Sequence, residues 1–214
     1  MTTGVPPSCL QIELLSDASF SRGEGSAGVV DIEVERDKFG MPCIGGKTVR
    51  GLLRDSWLSM ARHFDLDEAA ERVLGRSQAL DQSCRLRIGD AILPEAIRAA
   101  VRTAVERDKN HLATRVILDG FTSVRYQTAE DRETGAAEVS TLRSSRVVLH
   151  GFVFESSLTW LDGYQPVPAD LSVLALCALA TRHGGLLRNR GRGHIRMTLD
   201  GDLQATRRYA EVNG

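Results

Sequence analysis

Aromatic residues are scarce, at 5% of 214 residues, and they do not form the paired pattern of an RNA-recognition-motif stacking surface. Base stacking on a sheet is therefore not supported, and any nucleic acid would be held by backbone and shape. No apolar run reaches the roughly 18 residues of a membrane span. The longest, Leu171–Ala180, is interrupted by Ser172, so no membrane partner is expected. The opening residues, MTTGVPPS, carry neither a basic n-region nor an apolar h-region, and no secretory signal is expected. The four cysteines, Cys9, Cys43, Cys84 and Cys177, form no C-x-x-C pair. Neither a cysteine zinc site nor a disulfide framework is implied, and reduced thiols in the cytoplasm are expected. The five histidines show no H-x-x-x-H spacing; His183 and His194 flank a glycine-rich stretch, where they could meet a ligand. No internal repeat or low-complexity tract is present.

Net charge is also nearly absent, at −1 from 27 basic and 28 acidic side chains. A uniformly basic nucleic-acid binder is thereby excluded. The charge is nevertheless segregated. Leu171–Leu199 contains no acid but holds Arg182, Arg188, Arg190, Arg192 and Arg196. Asp55–Asp81 holds six acids against Arg62, Arg72 and Arg76. A near-neutral chain of this kind can carry a basic groove.

Periodicity predicts a strand in Cys9–Ser16, an extended run at Val29–Glu35, and a helix over 46–64 with Val49, Leu52, Leu53, Trp57, Met60 and Phe64 on one side. A short helix follows at Asp67–Leu74, a strand at Cys84–Leu93, and a helix led by Pro94. Leu112–Arg146 is polar and reads as an inserted β-hairpin arm turning at Asp131–Gly135. A third core strand lies in Val147–Trp160, and Asp170 can cap an all-round apolar helix. A fourth strand is expected at Gly193–Leu199. Without insertions the order is β-α-β-β-α-β. The fold class is therefore α+β, a ferredoxin-like or RNA-recognition-motif-like core with an inserted hairpin thumb and a helical insertion. One domain is expected over 1–214, with core about 9–111 and 147–200 and thumb about 112–146.

Three segments could carry chemistry. Gly184–Ile195 interleaves Gly184, Gly185, Gly191 and Gly193 with Arg188, Arg190 and Arg192. Glycines permit close backbone approach to a polyanion, and arginines supply bidentate phosphate donors; solvated arginines on a flexible turn are the alternative. Gly40–Arg54 opens a helix with Gly45, Gly46 and Lys47, followed by Arg50 and Arg54. The helix N-terminus could hold a phosphate. It is not a strict P-loop, since that spacing needs glycine where Met41 stands, and a nucleotide-hydrolysing enzyme remains only an alternative. Asp31, Glu33, Glu35 and Asp37 are spaced by two, so a strand would present them on one face: solvated, or built around one acid with a metal role.

Together these segments resemble the RAMP superfamily, the Csm/Cmr-like backbone subunits of type III CRISPR effector complexes. The pattern G-x-P-x-I-P-G-x-x-x-[KR]-G-x-x-R is matched by Gly40 to Arg54, with Gly45 in place of the usual proline. The terminal glycine-rich loop is matched by Gly184, Gly185, Gly191 and Gly193, and the arm by Arg125–Ala137. The resemblance implies a subunit that binds CRISPR RNA, packs beside copies of itself and other effector subunits, and places a thumb against the guide. Complementary target RNA would pair with the guide, so base pairing would carry specificity. RNA contacts are expected at Gly45, Gly46, Lys47, Arg50, Arg54, Arg125, Gly184, Gly185, Arg188, Arg190, Gly191, Arg192 and Gly193. Asp31 matches the acid that cutting members use with a divalent ion, here expected to be Mg2+, with the RNA supplying the other ligands. A non-catalytic RNA-binding member is the alternative within the family.

Overall fold

The computed structural model describes residues 5–21, 30–76, 83–107, 113–128, 142–188 and 190–211. Its centre is a four-stranded sheet of β1 (Cys9–Leu14), β2 (Leu86–Ile92), β5 (Val153–Trp160) and β6 (Ile195–Leu199). The strand order is β2-β5-β1-β6, and every pairing is antiparallel. β1 alternates because Leu10, Ile12 and Leu14 face the core while Gln11 and Glu13 do not. Two helical crossovers close the sheet. α1 (Gly46–Met60) carries the chain from β1 to β2 past β5, and α5 (Pro168–Ala180) carries it from β5 to β6 past β1. This split β-α-β pairing is the ferredoxin-like arrangement expected from the element order.

α1 buries Val49, Leu52, Leu53 and Trp57, and α5 buries Val173, Leu174, Cys177 and Ala178. Each such aliphatic side chain contributes about 1.5–3 kcal/mol when withdrawn from water. Asp170 stands at the third position of α5, not at its cap. It is fully buried and accepts from the Val167 N–H (3.0 Å), the Tyr164 hydroxyl (2.7 Å) and Arg72 Nε (2.9 Å). Arg72 belongs to α2 (Asp67–Leu74), so one carboxylate ties α2 to the start of α5. α3 (Glu95–Arg107) lies outside the core and is joined to the 30s segment by Arg98–Asp37 (3.1 Å).

The arm differs from expectation at both ends. A helix, α4 (Thr114–Phe121), precedes it, because Ile117 and Leu118 in the stretch taken as polar are buried. Its strands β3 (Thr122–Gln127) and β4 (Arg143–Val148) pair antiparallel, so Val147 and Val148 belong to the arm and not to the third core strand. The expected turn at Asp131–Gly135 lies outside the described residues. A terminal helix, α6 (Leu203–Ala210), was not expected. Asp202 caps it by accepting from the Gln204 and Ala205 N–H groups. Of the expected extended run, the described residues 30–35 and the following Arg36 form isolated bridges, Ile32 with Ser145 and Arg36 with Pro42, rather than a regular strand. Among the described residues no helix is long and apolar enough to cross a membrane.

Candidate nucleic-acid interface

The glycine-rich loop after α5 is closed at its neck by its own backbone. Gly184 N–H donates to the Gly193 carbonyl, and Gly193 N–H to the Asp17 carbonyl, both at 2.9 Å. Gly185, Gly191 and Gly193 have φ of 84°, 72° and 69°, where only glycine is unstrained. A Cβ on Gly193 would collide with the Gly184 carbonyl oxygen, and one on Gly185 would lie 2.6 Å from the Ser19 carbonyl oxygen. A Cβ on Gly184 would press on Leu52, Ile195 and Phe20 at 3.0–3.2 Å. The close approach these three glycines permit is to the chain itself, which fixes the shape of the loop that carries the arginines. Gly191 differs, since a Cβ there would meet nothing within 4 Å. Arg188 and Arg190 project from this braced turn into solvent and have no side-chain partner among the described residues. Arg192 is half-buried and donates from Nη1 to Ser145 Oγ (3.1 Å) on β4. His183 and His194 stack across the neck, with ring centroids 5.3 Å apart.

The Gly40–Arg54 segment is more changed by the structure. Gly46 N–H already donates to Asp90 Oδ1 at 2.7 Å, and a Cβ on Gly45 would sit 3.3 Å from Glu35 Oε2. Two carboxylates beside this helix N-terminus oppose a phosphate there. Gly46 is instead required by packing, because a Cβ would lie 2.5 Å from the Ile88 carbonyl oxygen on β2. Arg50 and Arg54 turn inward. Arg50 donates to the Val73 carbonyl (3.2 Å), to Cys84 Sγ (3.0 Å) and to the Leu86 carbonyl. Arg54 donates to the carbonyls of Leu74 and Gly75. They satisfy carbonyls at the end of α2 that a helix C-terminus leaves without partners. Both guanidinium groups thereby tie α1 to the end of α2. Lys47 alone of this group is exposed.

The four acids expected on one face are dispersed. Glu33 Oε1 is 2.9 Å from Nε of the buried Arg146, as an ion pair without hydrogen-bond alignment. Asp37 pairs with Arg98, and Glu35 faces Gly45. Asp31 is exposed and fixed to the root of the arm. The Ser144 N–H (2.6 Å) and hydroxyl (3.1 Å) both donate to its Oδ2, while its own N–H reaches Ser144. Those two bonds, helped by the nearby Arg143 charge, hold its carboxyl below the usual carboxylate range. Oδ1 takes no hydrogen bond among the described residues. Arg125, at the same root, pairs with Asp17 (2.8 Å), which also accepts from the His150 N–H (3.1 Å). Burial raises the Asp17 pKa, but the bonds from Arg125 and His150 outweigh it and lower the carboxyl overall. Arg125 is therefore held by an acid, although it remains partly exposed.

Among the described residues no three metal-ligating side chains cluster. One open carboxylate oxygen suits a hard cation that keeps waters and takes its other ligands from phosphate, which is how Mg2+ is commonly bound. Asp31 fits that partial site and no fuller one.

The two glycine turns reach a common segment. Gly45 abuts Glu35, the Glu35 N–H donates to the Phe20 carbonyl (2.8 Å), and the Phe20 ring lies where a Gly184 Cβ would meet it at 3.2 Å. Residues 17–20 and 31–35 thus join Gly45, Asp31, the arm root and the arginine loop. The sequence profile of the RAMP superfamily matches residues 11–196, which span all of these features. The chain belongs to the RAMP superfamily. Two solved structures share its fold. One is a cryo-EM structure of the type III-B Cmr-beta bound to cognate target RNA, with TM-score 0.65 and 12% identity over 90% of this chain and 96% of that one. The other is the apo state of type III-B Cmr-beta, with TM-score 0.63 and 12% identity over 92% and 98%. No curated protein matches the sequence significantly. Ser144, Ser145, Asp17 and Asp90 were not singled out by sequence. Ser144 and Ser145 are two of many hydroxyls in a polar arm, and only pairing with the 30s segment and Arg192 distinguishes them.

Proposed function

We propose that this RAMP protein is a backbone subunit of a type III CRISPR effector complex that holds CRISPR RNA and cuts the paired target RNA. The observation that carries this reading is the fixing of Asp31 to Ser144, one residue from where the loop arginine Arg192 meets Ser145. An ionised carboxylate and a basic loop thus share one strand at the arm root. Lys47, Arg188, Arg190 and Arg192 bind the guide backbone as sequence-independent phosphate contacts. The arm bears on the duplex, with Arg125 at its base.

Cleavage is an in-line transesterification. The 2′-hydroxyl of the target gives its proton to solvent and its oxygen attacks the adjacent phosphorus, the P–O5′ bond breaks and the 5′-oxygen takes a proton from solvent, leaving a 2′,3′-cyclic phosphate and a 5′-hydroxyl. Asp31, with a lowered pKa, is a weak base, so its role is to orient the 2′-hydroxyl and hold charge near the phosphate. Mg2+ bound by Oδ1 and by RNA phosphate oxygens would supply electrophilic polarisation of that phosphate. The partners are CRISPR RNA, complementary target RNA, copies of this chain and other effector subunits, in the cytoplasm.

Replacing Asp31 with Ala in the assembled complex tests this. Target binding should be retained within about two-fold, while cleavage should fall by 10²-fold or more, on the order of a lost positioning group. Equal cleavage would favour a non-cutting RAMP subunit instead.

A further inference from the structure

The basic surface does not end at the glycine loop. Behind it, a cavity of about 370 Å³ opens between the C-terminus of α5, the edge strand β6 and α6. Its apolar wall includes Leu15, Leu179, Met197 and Leu203, and its polar wall is Arg182, Arg196, Arg207 and His194, with no acid lining it. Arg196 is already engaged with Glu13. The Arg182 and Arg207 side chains have no hydrogen bond or ion pair among the described residues. Both lie near helix C-termini, where a cation complements the helix dipole. That role does not require both guanidinium groups to line one cavity with apolar walls.

We infer that this cavity is a second nucleotide subsite, taking one unstacked RNA nucleotide with its base against Leu179 and Leu203 and its phosphate at Arg182 and Arg207. The inference rests on the RNA-binding reading above and extends it to a surface that does not include Asp31. Continuity favours RNA over an acidic peptide. Arg182 also lines the adjoining groove, with His183 and the loop arginine Arg188, and His194 of the cavity stacks on His183 of that groove. Asp55 stands on the far wall of the groove, so the phosphate path runs along its Arg182–Arg188 side. A positively charged groove that tracks the backbone is one part of sequence-tolerant single-strand binding; in place of its usual aromatic platform this cavity offers the aliphatic Leu179 and Leu203 and the His194 ring.

The test uses the full chain freed of co-purifying nucleic acid and a fluorescein-labelled single-stranded RNA. Arg207 is exposed, so Arg207→Ala leaves the core intact. It should weaken binding about three- to ten-fold and reduce the slope of log K against log salt by about 0.7. Arg207→Glu should weaken it further, and RNA carrying 4-thiouridine should crosslink to the peptide containing Leu203. If Arg190→Ala weakens binding while Arg207→Glu changes neither affinity nor slope, the subsite is refuted and the loop reading stands. If wild-type chain binds no RNA at all, the RNA-binding reading itself has failed. Loss of an acidic peptide's binding in Arg207→Glu with RNA affinity unchanged would also overturn the proposal.

Discussion

Gly193→Ala separates the two roles a glycine can have in this loop. Both Gly191 and Gly193 are left-handed, at φ 72° and 69°, so alanine costs about 1–2 kcal/mol at either. Only at Gly193 does the new methyl strike backbone, the Gly184 carbonyl oxygen. Relief requires the neck to open. Two hydrogen bonds are then lost, Gly184 N–H to Gly193 O and Gly193 N–H to Asp17 O. At about 0.5–1.5 kcal/mol each, more where the group is buried, this adds roughly 1–3 kcal/mol. Gly193→Ala should therefore cost about 2–5 kcal/mol and Gly191→Ala about 1–2 kcal/mol, against a total stability of about 5–15 kcal/mol. Equilibrium urea unfolding reads the difference as a lower midpoint at unchanged m-value. If the two variants unfold within about 0.5 kcal/mol of each other, the neck does not brace the loop and the argument for these glycines is wrong.

Other consequences are as definite. Asp170→Ala strands the half-buried Tyr164 hydroxyl, the Val167 N–H and the Arg72 charge, and should cost about 3 kcal/mol in the same urea experiment. Arg146→Met removes the buried cation that pairs with Glu33 and Asp119 at the arm root and should cost about 3 kcal/mol, with faster hydrogen exchange in β3 and β4. The Asp31 and Asp17 carboxyls are both lowered, so their contribution to stability is present above the unfolded pKa of about 3.9 and is lost as pH falls through the folded values. Thermal melts should accordingly show no loss from these groups between about pH 5 and 8, and the acid limb of any cleavage profile due to Asp31 should lie below about pH 4. Arg190→Ala should weaken RNA binding equally for unrelated sequences and flatten its salt dependence. Titrations with RNAs of different sequence check this, and a sequence-selective loss contradicts phosphate recognition.

The core was legible because its signals are redundant. β1 alternates cleanly, and α5 is apolar all round and has no other place than the interior. What sequence could not show was which polar groups the fold itself would claim. Arg50 and Arg54 are spaced as a basic helix stripe, but the carbonyls ending α2 lie beside them only once α1 and α2 pack. Gly46 reads as a phosphate turn until Asp90, forty-four residues away, takes its N–H. Asp31 stood out by position, yet its Ser144 partner depends on a bridge between distant segments. α4 was hidden because Ile117 and Leu118 form too short an apolar stripe in a polar stretch, and α6 because its signal is one capping aspartate.

The RNA that the protein carries tests the central claim most directly. The chain is expressed with its partner subunits, purified, and its bound nucleic acid extracted and sized. The account requires RNA of uniform length, greatly depleted when Arg188 and Arg190 are both replaced by Ala. Absence of RNA, or RNA of random length held equally well by the double variant, would contradict it.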